Sequence, residues 1–171
     1  MQVAQGEDCG ASVRPAVPAD APLIHDLICE LAAYEKLSHV VDATPEMIAD
    51  ALFGDRPRLF CDIAEWNGEG AGLAVWFLNF STFRGRHGIY LEDLFVRPAY
   101  RGKGLGKALM AHLARRCVAE GYARFEWSVL DWNAPSIAFY ESIGADVLPD
   151  WKICRLTGDA LSAFGQTGAR A

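Results

Sequence analysis

The sequence predicts an α/β (α+β) fold: a mixed central sheet with helices on both faces, in the order β-α-α-β-β-β-α-β-α-β. Three observations point there. Apolar residues recur at helical spacing over 20–36 and 104–121. Between them lie runs rich in β-branched and aromatic residues, joined by short glycine turns. Two strand-like runs flank the second of these helices, which is the arrangement of a parallel crossover.

Taken in order, "SVRPAV" (12–17) is a short strand, and residues 1–11 form a small, polar, disordered tail. "DAPLIHDLICELAAYEK" follows as a helix capped by Asp20, with Leu23, Ile24, Leu27, Ile28 and Leu31 on one side. "TPEMIADALFG" is a shorter helix, with Thr44 as cap, Pro45 in the first turn and Gly54 as stop. "RLFCDIAEW" and "AGLAVWFLNFS" are strands around the hairpin turn "NGEG". "FRGRHG" turns the chain into "IYLEDLFV" (89–96), which Arg97-Pro98 ends because proline cannot donate to a ladder. An amphipathic helix then carries Leu105, Leu109, Leu113 and Cys117 four apart. "ARFEWSVL" (123–130), a helix over 135–144 and a last strand "WKICRL" (151–156) complete the order. No repeat or linker divides the chain, so residues 12–171 are read as one domain.

With 51% apolar residues, the 171-residue chain can bury a substantial core. A formal charge of -6 argues against nucleic acid as a partner. Five scattered cysteines without a Cys-x-x-Cys pair, and histidines without ligand spacing, argue against a disulfide framework and a metal site. The polar start and the lack of a long apolar run imply a cytoplasmic protein without a membrane partner.

The most informative stretch is "YLEDLFVRPAYRGKGLGKALM" (90–110). "RGKGLGK" is not a P-loop, because Arg101 stands at the first glycine and Ala108 at the hydroxyl position. Neither Gly102/Gly104 nor Gly104/Gly106 has the third glycine of a dinucleotide fingerprint. What remains is Arg101-x-x-Gly104-x-Gly106 between a strand and a helix. Glycines there permit close backbone approach, and the first helical N–H groups point at an anion. Arg97, Arg101, Lys103 and Lys107 add local positive charge to an acidic chain. From these residues alone, an exposed loop and an anion site stand about level.

The stretch 90–110 together with "DWNAPSIAFYESIGA" (131–145) resembles the acetyl-CoA-binding half of the GNAT superfamily of N-acyltransferases, and the similarity covers residues 12–157. "ELAAYEK", "YLEDLFV" and "WNAPSIAFY" are most similar to its diamine acetyltransferase group, which includes spermidine/spermine and thialysine N-acetyltransferases. The resemblance implies acetyl-CoA as co-substrate, without a metal, and a homodimer. It implies that the backbone of Leu94, Phe95 and Val96 pairs with the pantetheine arm. It further implies that Arg101, Gly102, Lys103, Gly104, Leu105, Gly106 and Lys107 hold the pyrophosphate. Asn133 and Ser136 would face the amide arm, Tyr140 the sulfur as general acid, and Tyr34, Glu35, Glu92 and Asp93 the amine. Glu92 would take the amine proton, directly or through water. A backbone N–H near Leu94 or Phe95 would stabilise the oxyanion.

Regular alternation places Glu92 and Asp93 on opposite faces, so that only one lies in a given pocket. Arg84, Arg86 and His87 before the strand would repel an extended polycation, which favours a smaller primary amine. A non-catalytic acyl-CoA-binding module and an acetyltransferase of peptide or protein amines stay open beside this reading.

Overall fold

A computed structural model describes residues 10–167. The tail expected over 1–11 lies outside the described residues except for Gly10 and Ala11, and Ala11 opens the first strand. The chain divides into two compact units, the first ending at Ser128 and the second starting at Val129. Each is described by itself.

In the first unit, β1 (Ala11–Pro15) precedes α1 (Ala21–Tyr34) and α2 (Pro45–Phe53). β2 (Phe60–Trp66), β3 (Glu69–Ser81) and β4 (Arg86–Val96) follow, then α3 (Leu105–Ala119) and β5 (Phe125–Trp127). The sheet order is β1-β2-β3-β4-β5. The first three pairings are antiparallel, and β4–β5 is parallel, as the crossover through α3 requires. Asn67 and Gly68 both adopt positive φ, 54° and 79°, the pair of left-handed residues that a tight hairpin turn demands.

Thr44 caps α2 as predicted, its hydroxyl accepting from the Met47 N–H at 3.3 Å. Asp20 does not cap α1. Its carboxylate accepts both Nη groups of Arg14, at 2.7 and 2.9 Å, and the Val17 N–H, because a bidentate charged partner outcompetes one helix N–H. Arg14 also reaches Glu65, so one guanidinium ties β1 to the entry of α1 and to β2.

One sheet face buries Ile24 and Leu27 of α1 and Ile48 and Leu52 of α2 against Ile63, Leu73, Val75 and Phe95. The other face lies under α3, whose Leu105, Leu109, Met110 and Leu113 are buried, and α3 packs on β1, β2 and β4. Buried Asp62 anchors this side, accepting Trp76 Nε1 at 2.8 Å. His112 of α3 is turned toward the sheet, with Nε2 3.3 Å from Asp62 Oδ1, although the pair lacks hydrogen-bond alignment.

The second unit contains α4 (Ala134–Ser142) and α5 (Gly158–Gln166). Here the predicted order needs correcting. Residues 151–156 form no strand, and Gly158–Gln166 form a helix that the sequence reading missed. A strand exists only by pairing, and this segment has no ladder among the described residues, so its β-branched and aromatic content does not suffice. Leu161 and Phe164, three apart, were the available helical signal. No helix of the described residues is long and apolar enough to cross a membrane.

Trp76→Phe should keep the ring stacked on Phe60 but leave Asp62 Oδ2 without its donor. We expect a loss of about 1–3 kcal/mol, read from urea unfolding; an unchanged midpoint would show that Asp62 draws nothing from the indole.

Candidate functional site

β4 is irregular where the candidate residues lie. Asp93 pairs with Val75, but the next β3 residue, Trp76, pairs with Leu91. Glu92 is therefore the extra residue of a β-bulge. The bulge resets the alternation. Leu91 shares the α3 face with Trp76, whereas Asp93 shares with Val75 the face under α1 and α2. The regular alternation on which the opposite-face expectation for Glu92 and Asp93 rested is interrupted by this bulge.

Asp93 is held up to about 6, first by burial and then by the neighbouring charges of Glu92 and Glu35. Burial also raises Glu35. Glu35 sits just past α1, where the helix ends with Leu37 N–H donating to Ala32 O at 2.7 Å and Lys36 at φ 61°. That left-handed turn usually takes glycine; a lysine there carries strain and fixes the direction of the helix end. The fold thus brings Glu35 and Glu92 within electrostatic reach of Asp93.

The second feature is a parting of strands. β4 and β5 pair only at Ile89↔Phe125, Tyr90↔Glu126 and Leu91↔Trp127. Beyond Leu91 the β4 edge from Glu92 to Val96 has no strand beside it among the described residues. On this side the backbone groups of Leu94 and the Val96 N–H have no strand ladder and suit an extended ligand, while the Val96 carbonyl accepts from Arg101 Nε. The Phe95 side chain is in the core and its carbonyl faces β3, so, contrary to expectation, Phe95 does not present its backbone to the open edge; antiparallel alternation gives that edge to Leu94 and Val96.

The glycine turn completes this end. Gly102 and Gly104 adopt positive φ, 75° and 83°, which is why they are glycines. Gly104 precedes α3 without any side-chain cap, so the N–H groups of Leu105, Gly106 and Lys107 start the helix uncovered by a side chain from the capping position. A Cβ at Gly106 would meet only Val96 Cγ2, at 3.9 Å, so nothing in the fold demands glycine there. These features fit a bound pyrophosphate and a ligand running along β4.

The cations do not converge as the sequence suggested. Arg97 Nε donates to Glu30 and Nη1 to Gly70 O. Arg101 lies over the Tyr34 and Phe95 rings, 4.8 and 5.8 Å from their centroids. Lys103 lies over Trp66 and Tyr100, at 4.5 and 5.4 Å. Lys107 is exposed. Arg101 and Lys103 are thus held on aromatic surfaces beside the uncapped start of α3. Nothing in the local sequence signals the Trp66–Lys103 or Tyr34–Arg101 contacts, which only the packing of distant elements creates.

Within the second unit, Asn133 is buried and caps α4, its Oδ1 accepting the Ser136 N–H at 3.4 Å. Asn133, Ser136 and Tyr140 are spaced three and four apart, so they share the protected face of α4, and Tyr140 is buried. Phe139 lies 5.4 Å from the Tyr140 ring.

The sequence pattern of the acetyltransferase (GNAT) family matches residues 24–145. The chain is 34% identical to an L-ornithine N5-acetyltransferase of Arabidopsis thaliana, over 89% of this chain and 86% of that one. It is 36% identical to the thialysine N-epsilon-acetyltransferase of Bos taurus, over 87% of this chain and 94% of the relative. Among solved structures, an integron cassette protein from the mobile metagenome of V. cholerae superposes with a TM-score of 0.78 at 23% identity, covering 92% of this chain and 99% of that one. At that identity the likeness is one of fold.

Two variants test this geometry. Asp93 binds its proton more tightly folded than unfolded, so the native state loses stability as pH climbs from the ordinary aspartate value of 3.8 to about 6. Asp93→Asn should therefore gain thermal stability over the parent at pH 7.5 but not near pH 4; equal differences at both would refute the burial argument. Gly106→Ala should leave thermal stability unchanged or raised, since alanine favours the helix, while weakening coenzyme A binding measured by calorimetry.

Proposed function

This chain belongs to the acetyltransferase (GNAT) family, and from that premise we propose that it transfers the acetyl group of acetyl-CoA to the primary amine of a small molecule. The acceptor is a diamine, a short polyamine or an amino acid of the ornithine, lysine or thialysine kind. One observation carries this reading: β4 parts from β5 at Leu91, and the next two residues are carboxylates, of which Asp93 is largely desolvated and feels the charges of Glu92 and Glu35. A strand edge able to take an amide-bearing arm thus adjoins a desolvated acidic patch that suits an ammonium group.

Acetyl-CoA, when bound, supplies the activated thioester. Arg101, Gly102, Lys103, Gly104, Leu105, Gly106 and Lys107 hold its pyrophosphate, largely through backbone N–H groups. Leu94 and Val96, on either side of Phe95, hold the pantetheine arm by their outward backbone groups, and Asn133 and Ser136 serve its amide groups. Tyr34, Glu35 and Asp93 bind the acceptor, the ionised Asp93 attracting the cationic amine. Glu92 takes the amine proton through a water molecule, consistent with its exposure on the bulge. The backbone N–H of Leu94 stabilises the charge that develops on the acetyl oxygen. Tyr140 gives its phenolic proton to the departing sulfur.

The basic stretch Arg84, Arg86 and His87 is exposed, which supports a small acceptor over a long polycation. The reading includes a cytoplasmic homodimer. Exposed Trp151, Ile153, Leu156, Leu161 and Phe164 are the surface that a second copy would cover.

Free-thiol release from acetyl-CoA should occur with ornithine, thialysine or short diamines and exceed that with peptides and aminoglycosides. Coenzyme A binding without thiol release across that panel would refute the enzyme reading. Tyr140→Phe should slow turnover about 10²–10⁴-fold; near-full turnover would remove Tyr140 from the acid role.

A further inference from the structure

Arg101 leaves the short 3-10 turn Pro98–Tyr100 in an extended conformation, φ -66° and ψ 157°, and its side chain runs back toward β4. Nε donates to Val96 O at 3.0 Å, on the strand edge described above. The guanidinium lies 4.8 Å from the centroid of the Tyr34 ring and 5.8 Å from that of Phe95. One rigid plane thus touches the β4 edge, the buried core ring and the last residue of α1. Its remaining donors, on the two Nη groups, lie in the same plane as Nε. Whatever those donors grip also restrains the stack on Tyr34, because the plane cannot turn at one end alone.

Tyr34 is 37% exposed, so burial alone does not hold it. It directly precedes Glu35, whose direction depends on the strained helix end at Lys36. Arg101 is also not the counter-ion of the acidic patch. The groups facing Asp93 electrostatically are Glu92 on its own strand and Glu35 beyond α1, with no cation among them.

The geometry points to Arg101 as a positioning residue that couples the glycine turn to the acceptor end of α1: an anion held at the turn fixes the guanidinium, and the guanidinium fixes Tyr34 and the helix terminus bearing Glu35. This rests on the reading of the turn as a coenzyme A site. Cofactor binding then orders the acceptor side, and by reciprocity an acceptor held there tightens the cofactor.

The test is amide hydrogen exchange at residues 35–37, whose N–H groups bond to the carbonyls of Leu31, Ala33 and Ala32, with coenzyme A as the probe. In the parent protein, saturating coenzyme A should slow exchange there about 5-fold or more. Arg101→Lys keeps the charge but loses the planar stack and the Nε bond; at its own saturating coenzyme A concentration, the slowing should vanish. Tyr34→Leu, which leaves the turn intact, should bind coenzyme A and likewise show no slowing. Coenzyme A that binds the parent without slowing these amides overturns the coupling but leaves the cofactor reading standing. Slowing that persists in either variant overturns it as well. Failure of coenzyme A to bind the parent overturns the cofactor reading, and this inference with it.

Discussion

The candidate site depends on one irregularity in one strand: the bulge at Glu92, where β4 takes an extra residue against β3 just as its pairing with β5 stops. An unbroken β4 would alternate Glu92 and Asp93 between two faces and would continue its ladder with a neighbour. The bulge shifts the phase, so Phe95 enters the core under α1 while Leu91 lies beneath α3. It also adds local twist, which is how paired strands diverge. Face, open edge and acidic patch thus share one cause.

That arrangement costs stability. Two adjacent carboxylates and a third from the end of α1 lie close enough to hold Asp93 near 6, and burial is the largest contribution. A fold chosen for stability alone would place an apolar residue opposite Val75. A desolvated carboxylate held among like charges is the kind of departure from local rules that accompanies ligand chemistry, which is the ground for the proposed acceptor site. The left-handed Lys36 at the end of α1 is a second such place.

Positive charge is handled in the opposite way. Arg101 and Lys103 are laid over aromatic rings, and Arg97 is bound to Glu30. A turn with several mobile cations would bind polyanions loosely and unselectively. With the cations fixed on rings, the N–H groups of Leu105, Gly106 and Lys107 start α3 without a side-chain cap, the arrangement that suits an anion. Beneath them, Asp62 with Trp76 and His112 joins the sheet to α3, the helix whose first turn carries those donors.

Local chemistry determined much of this protein without help. Periodicity defined α1, α2 and α3, turn residues defined the β2–β3 hairpin, and failed nucleotide motifs beside "WNAPSIAFY" led to the family. Those features depend on residues near one another in the chain, so the sequence displays them. Tertiary structure alone decided the phase of β4, the placement of Arg101 and Lys103 on distant rings, and the inward turn of His112. It also decided that "WKICRL", strand-like by composition, remains unpaired while the following residues form a helix. Each of these depends on what lies opposite a residue in space, and strand register, bulges and cation–ring contacts leave no periodic trace in the sequence.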